Sequence, residues 1–208
     1  MSDADDSAAI RAFWDWFVRN EARMRWIESG HDPRFDELLA KLREYCPRLC
    51  IEVGGAPEGP VELIIGTEGR SEFFPYVRRL VAAAPPIGGW RVIAFKQKQG
   101  FDFVTTYEGL RIDPKECWFL PLESKRDPDW LALRIACPGF DPARNITFVS
   151  ALLVILDTAL GELEHAEAIA AVEAAPLPAD PAHDGWIELD ELQEYLDWRR
   201  RKRSGGSA

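Results

Sequence analysis

The sequence predicts an α+β fold, an antiparallel or mixed sheet flanked by N-terminal and C-terminal helices. Two observations predict it. Apolar residues recur at helical spacing over the first 45 positions and again near the end of the chain, whereas the middle holds short segments rich in branched and aromatic residues. The resulting order, helices, then strands broken by a helix, then helices, suits segregated elements better than a regular alternation of strand and helix.

The first helix is expected from about Ser7 to Ser29, capped by Asp6 or Ser7, with Ile10, Phe13, Trp14, Phe17 and Met24 on one face. Gly30 stops it. Asp32 caps a second helix with Pro33 in its first turn and Phe35, Leu38, Leu39, Leu42 and Tyr45 as the buried stripe. From Leu49 the period falls to two, and "LCIEV" and "VELIIG" form a hairpin around the loose loop "GGAPEGP". "FFPYVRRLVAAAP" is a helix ended by Pro85 and Pro86, followed by the strand "WRVIAF".

Further strands are expected in "FDFVTTY", "ECWFLPLE" and "WLALRIA". A helix then runs from near Pro142 to about Gly161, after which the alanine-rich pattern leaves 165–175 open between helix and strand. "ELDELQEYLDWRRRKR" makes a final helix with Leu189, Leu192 and Leu196 on its apolar side. The chain reads as a single α+β domain over 1–198, with 199–208 as a basic tail expected to be disordered.

Of the 208 residues 47% are hydrophobic and 29% charged, a balance that can fill a core and keep a chain in solution. The formal charge is -10, and five of the 25 basic residues lie together at Arg199–Arg203. The rest of the chain is therefore more acidic still and repels polyanions, so neither a nucleic-acid nor a membrane partner is expected. The start, "MSDADDSAAI", lacks the pattern of a signal peptide, and the longest apolar run, Ile146 to Leu156, falls short of the roughly 20 residues of a bilayer span. The expected location is the cytoplasm. Cys46, Cys50, Cys117 and Cys137 form no C-x-x-C motif and suit that compartment as reduced thiols.

Four segments, "FWDWF", "AAPPIGGW", "LDTALGE" and "LDELQEYLDW", together resemble an uncharacterised family of bacterial cytosolic α+β proteins. The resemblance implies a shared fold and no activity, cofactor or site residue.

Among residues that can carry chemistry, Asp157, Glu162 and His165 are the ligand-binding candidates, because they interrupt an apolar run. On an unbroken helix Glu162 and His165 are neighbours while Asp157 lies on another stripe, so the three do not converge. Asp157 is expected to cap or ion-pair at a rim, and Glu162 and His165 to face water. Glu162-x-x-His165 has the spacing of a di-iron carboxylate motif, but the second match, Glu28 to His31, is broken by Gly30, so no metal is expected. Hydrolase elbows, zinc motifs and phosphate loops are missing, no cofactor is expected, and the reading leans against an enzyme.

Trp16, Trp26 and Ile27 lie off the main stripe of the first helix and are the protein-contact candidates. The leading expectation is a non-catalytic protein-binding module, immunity- or adaptor-like, that takes a basic protein partner through an acidic surface or the aromatic helix. The alternative is a small-molecule-binding protein or hydrolase with a pocket near Asp157 and Glu162. The oligomeric state is not legible.

Overall fold

The structure is a computed structural model that describes residues 3–27, 31–55, 58–127 and 129–205. It is an α+β fold with helices at both ends, and its chain divides into two compact units, 1–96 and 97–208. The expectation from the sequence is a single domain over 1–198.

The first unit opens with α1 (Asp3–Met24) and α2 (Pro33–Tyr45). α1 begins a turn earlier than expected, with Asp5 and Asp6 in its first turns, where acidic side chains oppose the helix dipole. Asp6 is therefore inside the helix, buried and paired with Arg79 at 3.0 Å, instead of capping it. The helix also ends sooner than expected, at Met24, and the Trp26 carbonyl just beyond it accepts a hydrogen bond from Arg34. Ser29 and Gly30 lie outside the described residues. The predicted stripe of Ile10, Phe13, Trp14, Phe17 and Met24 is buried throughout. Asp32 caps α2 as its sequence suggests, accepting from the Arg34 backbone N–H.

β1 (Cys50–Gly54) and β2 (Val61–Gly66) form the expected antiparallel hairpin, with Ile51 opposite Ile65. α3 (Phe74–Ala82) then crosses over to β3 (Trp90–Ala94), which pairs parallel to β2. The sheet order is β1-β2-β3. Trp90 closes this unit by donating to the Glu21 carboxylate at 2.9 Å. That bond and Arg25 hold the carboxyl below the usual range.

The second unit begins with the short hairpin β4 (Thr105–Tyr107) and β5 (Leu110–Ile112). β6 (Trp118–Glu123) and β7 (Leu131–Cys137) follow, antiparallel. After α4 (Asn145–Leu160) and α5 (Glu162–Ala168) come β8 (Ala171–Pro176), β9 (Ile187–Glu188) and α6 (Leu192–Gly205). The open stretch at 165–175 is thus helix as far as Ala168 and strand from Ala171. The sheet runs β8-β7-β6-β9, with β8 parallel to β7, so it is mixed. β7 is central and buried except at Arg134, as a strand covered on both faces must be. Its core partners are Phe148, Leu152, Ile155 and Leu156 of α4 and the predicted Leu189, Leu192 and Leu196.

α6 runs through the basic segment, as the helical reading of "ELDELQEYLDWRRRKR" expects. It continues to Gly205, so the segment expected as a disordered tail is helical at 199–205; residues 206–208 lie outside the described set. The physical reason is that its arginines find acidic partners on neighbouring elements.

Candidate functional site

The three ligand-binding candidates are assembled by one glycine. Gly161 takes φ 82° and ψ 150°, a conformation almost closed to other residues, and ends α4 so that α5 sets off on a new axis. The assumption of an unbroken helix therefore fails. Asp157 and His165, placed on different stripes by that assumption, meet with Oδ1 and Nδ1 2.6 Å apart. A carboxylate oxygen can only accept, so Nδ1 carries the proton.

His165 and Glu162 are buried, which corrects the expectation that they face water; Asp157 is half-buried. The bend turns the Glu162, His165 and Ile169 face of α5 inward and leaves Leu163, Glu164, Glu167 and Ala168 on the other side. Chemically, the pair is an imidazole oriented by a carboxylate, the arrangement a general base uses. No group of three or more His, Cys, Asp or Glu that could hold a metal exists among the described residues.

Trp16, Trp26 and Ile27 separate in the structure. Trp16 and Ile27 are half-buried, whereas Trp26 is 68% exposed at the turn after α1.

The opposite face of α5 lines a cleft of about 430 Å³ whose other wall is α6. Arg199 is buried there, donating to Glu123 at 3.0 Å and to the Trp130 carbonyl at 3.2 Å. Arg200 pairs with Glu164 and Asp197, and Arg203 with Asp129. Three members of the basic run are thus matched to carboxylates of this unit, which lowers the positive field they offer to a polyanion.

The outer side of α6 carries a second, shallower groove of about 310 Å³, lined by Ile187, Glu191, Glu194, Tyr195, Trp198 and Arg201. Positions 191, 194, 195 and 198 fall on one helical stripe. Tyr195 is seated edge-on against Phe119, with ring centres 5.5 Å apart, and its hydroxyl donates to Glu123 at 3.3 Å. Burial and the Glu123 charge push its pKa up to about 12, so it remains a donor. Trp198 packs beside Tyr195 at 5.6 Å yet stays 46% exposed, and the Lys202 ammonium lies 4.8 Å from its ring centre. The groove thus carries an intramolecular cation–π contact, with Glu191, Glu194 and Arg201 also in its lining.

Sequence reasoning missed Tyr195 and Trp198. The available signal was their spacing in "LDELQEYLDW": three apart and off the Leu189, Leu192 and Leu196 stripe.

The class these observations define is an α+β protein of two compact units, with an Asp–His pair at the α4–α5 corner and an aromatic groove of mixed charge on its last helix. Compared with protein-family models, curated proteins and solved structures, the chain matches none of them.

Proposed function

We propose that this chain is a non-catalytic, cytoplasmic protein-binding module, adaptor- or immunity-like, whose second unit takes a basic protein partner on the outer groove of α6. The observation that carries the reading is that Glu191 and Glu194 line the same groove as the exposed Trp198 ring, beside which the Lys202 ammonium lies. A lysine or arginine of a partner that displaces Lys202 finds there a π face and two carboxylates, with Arg201 at the edge of the groove. The charge distribution supports it: the second unit holds 20 of the 35 acidic residues and only 12 of the 25 basic ones, so a cationic partner is drawn toward it.

Fluorescence anisotropy with a labelled lysine-rich peptide tests this. Binding is expected at low ionic strength, weakened as salt rises, and reduced in the Glu191→Gln/Glu194→Gln double variant. Equal binding by that variant refutes the assignment of the groove.

A second reading has one specific observation in its favour. The 2.6 Å contact of His165 with Asp157 would serve a hydrolase or a small-molecule site at the α4–α5 corner. A thermal-shift screen against metabolites, repeated on His165→Gln, tests it: a ligand whose stabilisation vanishes in the variant supports the site.

A further inference from the structure

Of the four free cysteines, two stand opposite each other in the second unit. Trp118 of β6 pairs with Ala136 of β7, so the next rung of this antiparallel ladder sets Cys117 against Cys137. Their backbones do not bond across that rung. The Cys117 N–H donates to the Pro114 carbonyl at 3.1 Å and the Cys117 carbonyl accepts from Leu189 at 2.9 Å, while the Cys137 carbonyl accepts from Phe140 at 3.3 Å. Pro121, which has no N–H to give, lies opposite Leu133 on a rung of the same set. Rungs without backbone bonds bring the two Cα atoms to about 4.5 Å, inside the roughly 4.4–6.8 Å span of disulfides.

The side chains share one face. Both are 0% exposed and belong to the core of the second unit. The Cys117 thiol donates to the Asp113 carbonyl at 3.5 Å, which leaves its sulfur to accept from Cys137. The contact with Cys137, and then burial, push the Cys117 pKa up. Two sulfurs fall short of the four ligands of a structural zinc site, and no group of three or more candidate ligands exists among the described residues. As small apolar side chains the two cysteines fill this space, but packing alone does not require both to be cysteine or to share a rung.

We propose that Cys117 and Cys137 form a reversible dithiol–disulfide site, closed by a peroxide to staple β6 to β7. One sulfur, as thiolate, attacks the peroxide O–O bond and becomes a sulfenic acid, the other peroxide oxygen leaving as water after taking up a proton. The neighbouring sulfur then attacks the sulfenic sulfur and expels its oxygen as a second water. Both thiols are oxidised, the peroxide is reduced, and a thiol reductant restores the pair. Burial selects a small oxidant over a bulky disulfide such as oxidised glutathione, and the raised Cys117 pKa makes closure slow. The bond closes a loop of about 20 residues, which restricts the unfolded chain and stabilises the second unit. The pair shares no residue with the groove of α6, and the inference stands or falls apart from the proposed function.

Peptide mapping of the full chain tests this. The protein is treated with hydrogen peroxide, unfolded in iodoacetamide and digested with trypsin, which places Cys117 in residues 116–125 and Cys137 in residues 135–144. Mass spectrometry should find these two peptides joined, lighter than their sum by two hydrogens, and separated by dithiothreitol. The oxidised chain should melt about 5 °C or more above the reduced one, a difference absent in Cys137→Ala. The map needs no variant, so it decides even if Cys137→Ala fails to fold. Alkylation of both cysteines after peroxide overturns the proposal, as does a link from either to Cys46 or Cys50, or oxidation of either to a sulfinic acid. A joined pair whose melting temperature equals that of the reduced chain overturns the staple.

Discussion

Asp157 and His165 are eight residues apart, and they share a hydrogen bond because Gly161 between them takes a backbone conformation that side chains disfavour. Gly161→Ala should therefore cost about 1–3 kcal/mol, and His165→Ala a similar amount by stripping a half-buried carboxylate of its donor. Urea denaturation checks both; a loss under about 0.5 kcal/mol in either would show that the corner is not held this way. The residue types of this corner were legible in the sequence, and their meeting was not, since helical periodicity says nothing about the direction a chain takes after a break. Tyr195 offers a second test. Its raised pKa means that the stability it contributes is fully present below the ordinary tyrosine value near 10 and is lost as pH rises through about 12. Ultraviolet titration of phenolate absorbance should show a late-ionising tyrosine that disappears in Tyr195→Phe, and no change in the curve would contradict the placement.

Among elements, α6 shows what local composition leaves open. "RRRKR" extends the last helix but does not tell its arginines apart: Arg199 is buried between Glu123 and the Trp130 carbonyl while Arg200 is mostly exposed. Those partners lie some 70 positions upstream, beyond any local pattern. Arg199→Ala should cost about 1–3 kcal/mol through lost hydrogen bonds and packing, and Arg200→Ala no more than about 0.5. Thermal melts of the two variants that coincide would deny the distinction. The helices and central strands were legible because their apolar periods are strong, as in Ile10 to Met24 and "WLALRIA". The hairpin β4–β5 proved shorter than "FDFVTTY" suggested, since only Thr105–Tyr107 finds a partner strand. The boundary between α5 and β8 stayed open because "AIAAVEAAP" lacks any strong period.

At the scale of the whole molecule, charge and shape work together. The acidic excess is concentrated in the second unit, and the cations that might offset it along α6 are largely spent on internal pairs. What faces outward at α6 is Glu191, Glu194 and the Trp198 indole together with Arg201 and Lys202, a mixed surface that composition alone announced only as acidic. The most direct test of this account is the affinity of a labelled lysine-rich peptide for the intact chain and for Trp198→Ala, measured by anisotropy at low salt. Trp198 is exposed, so the variant should fold as the parent does. The account predicts an affinity at least about tenfold weaker in Trp198→Ala. Equal affinity of the two proteins, or no binding by either, would contradict it.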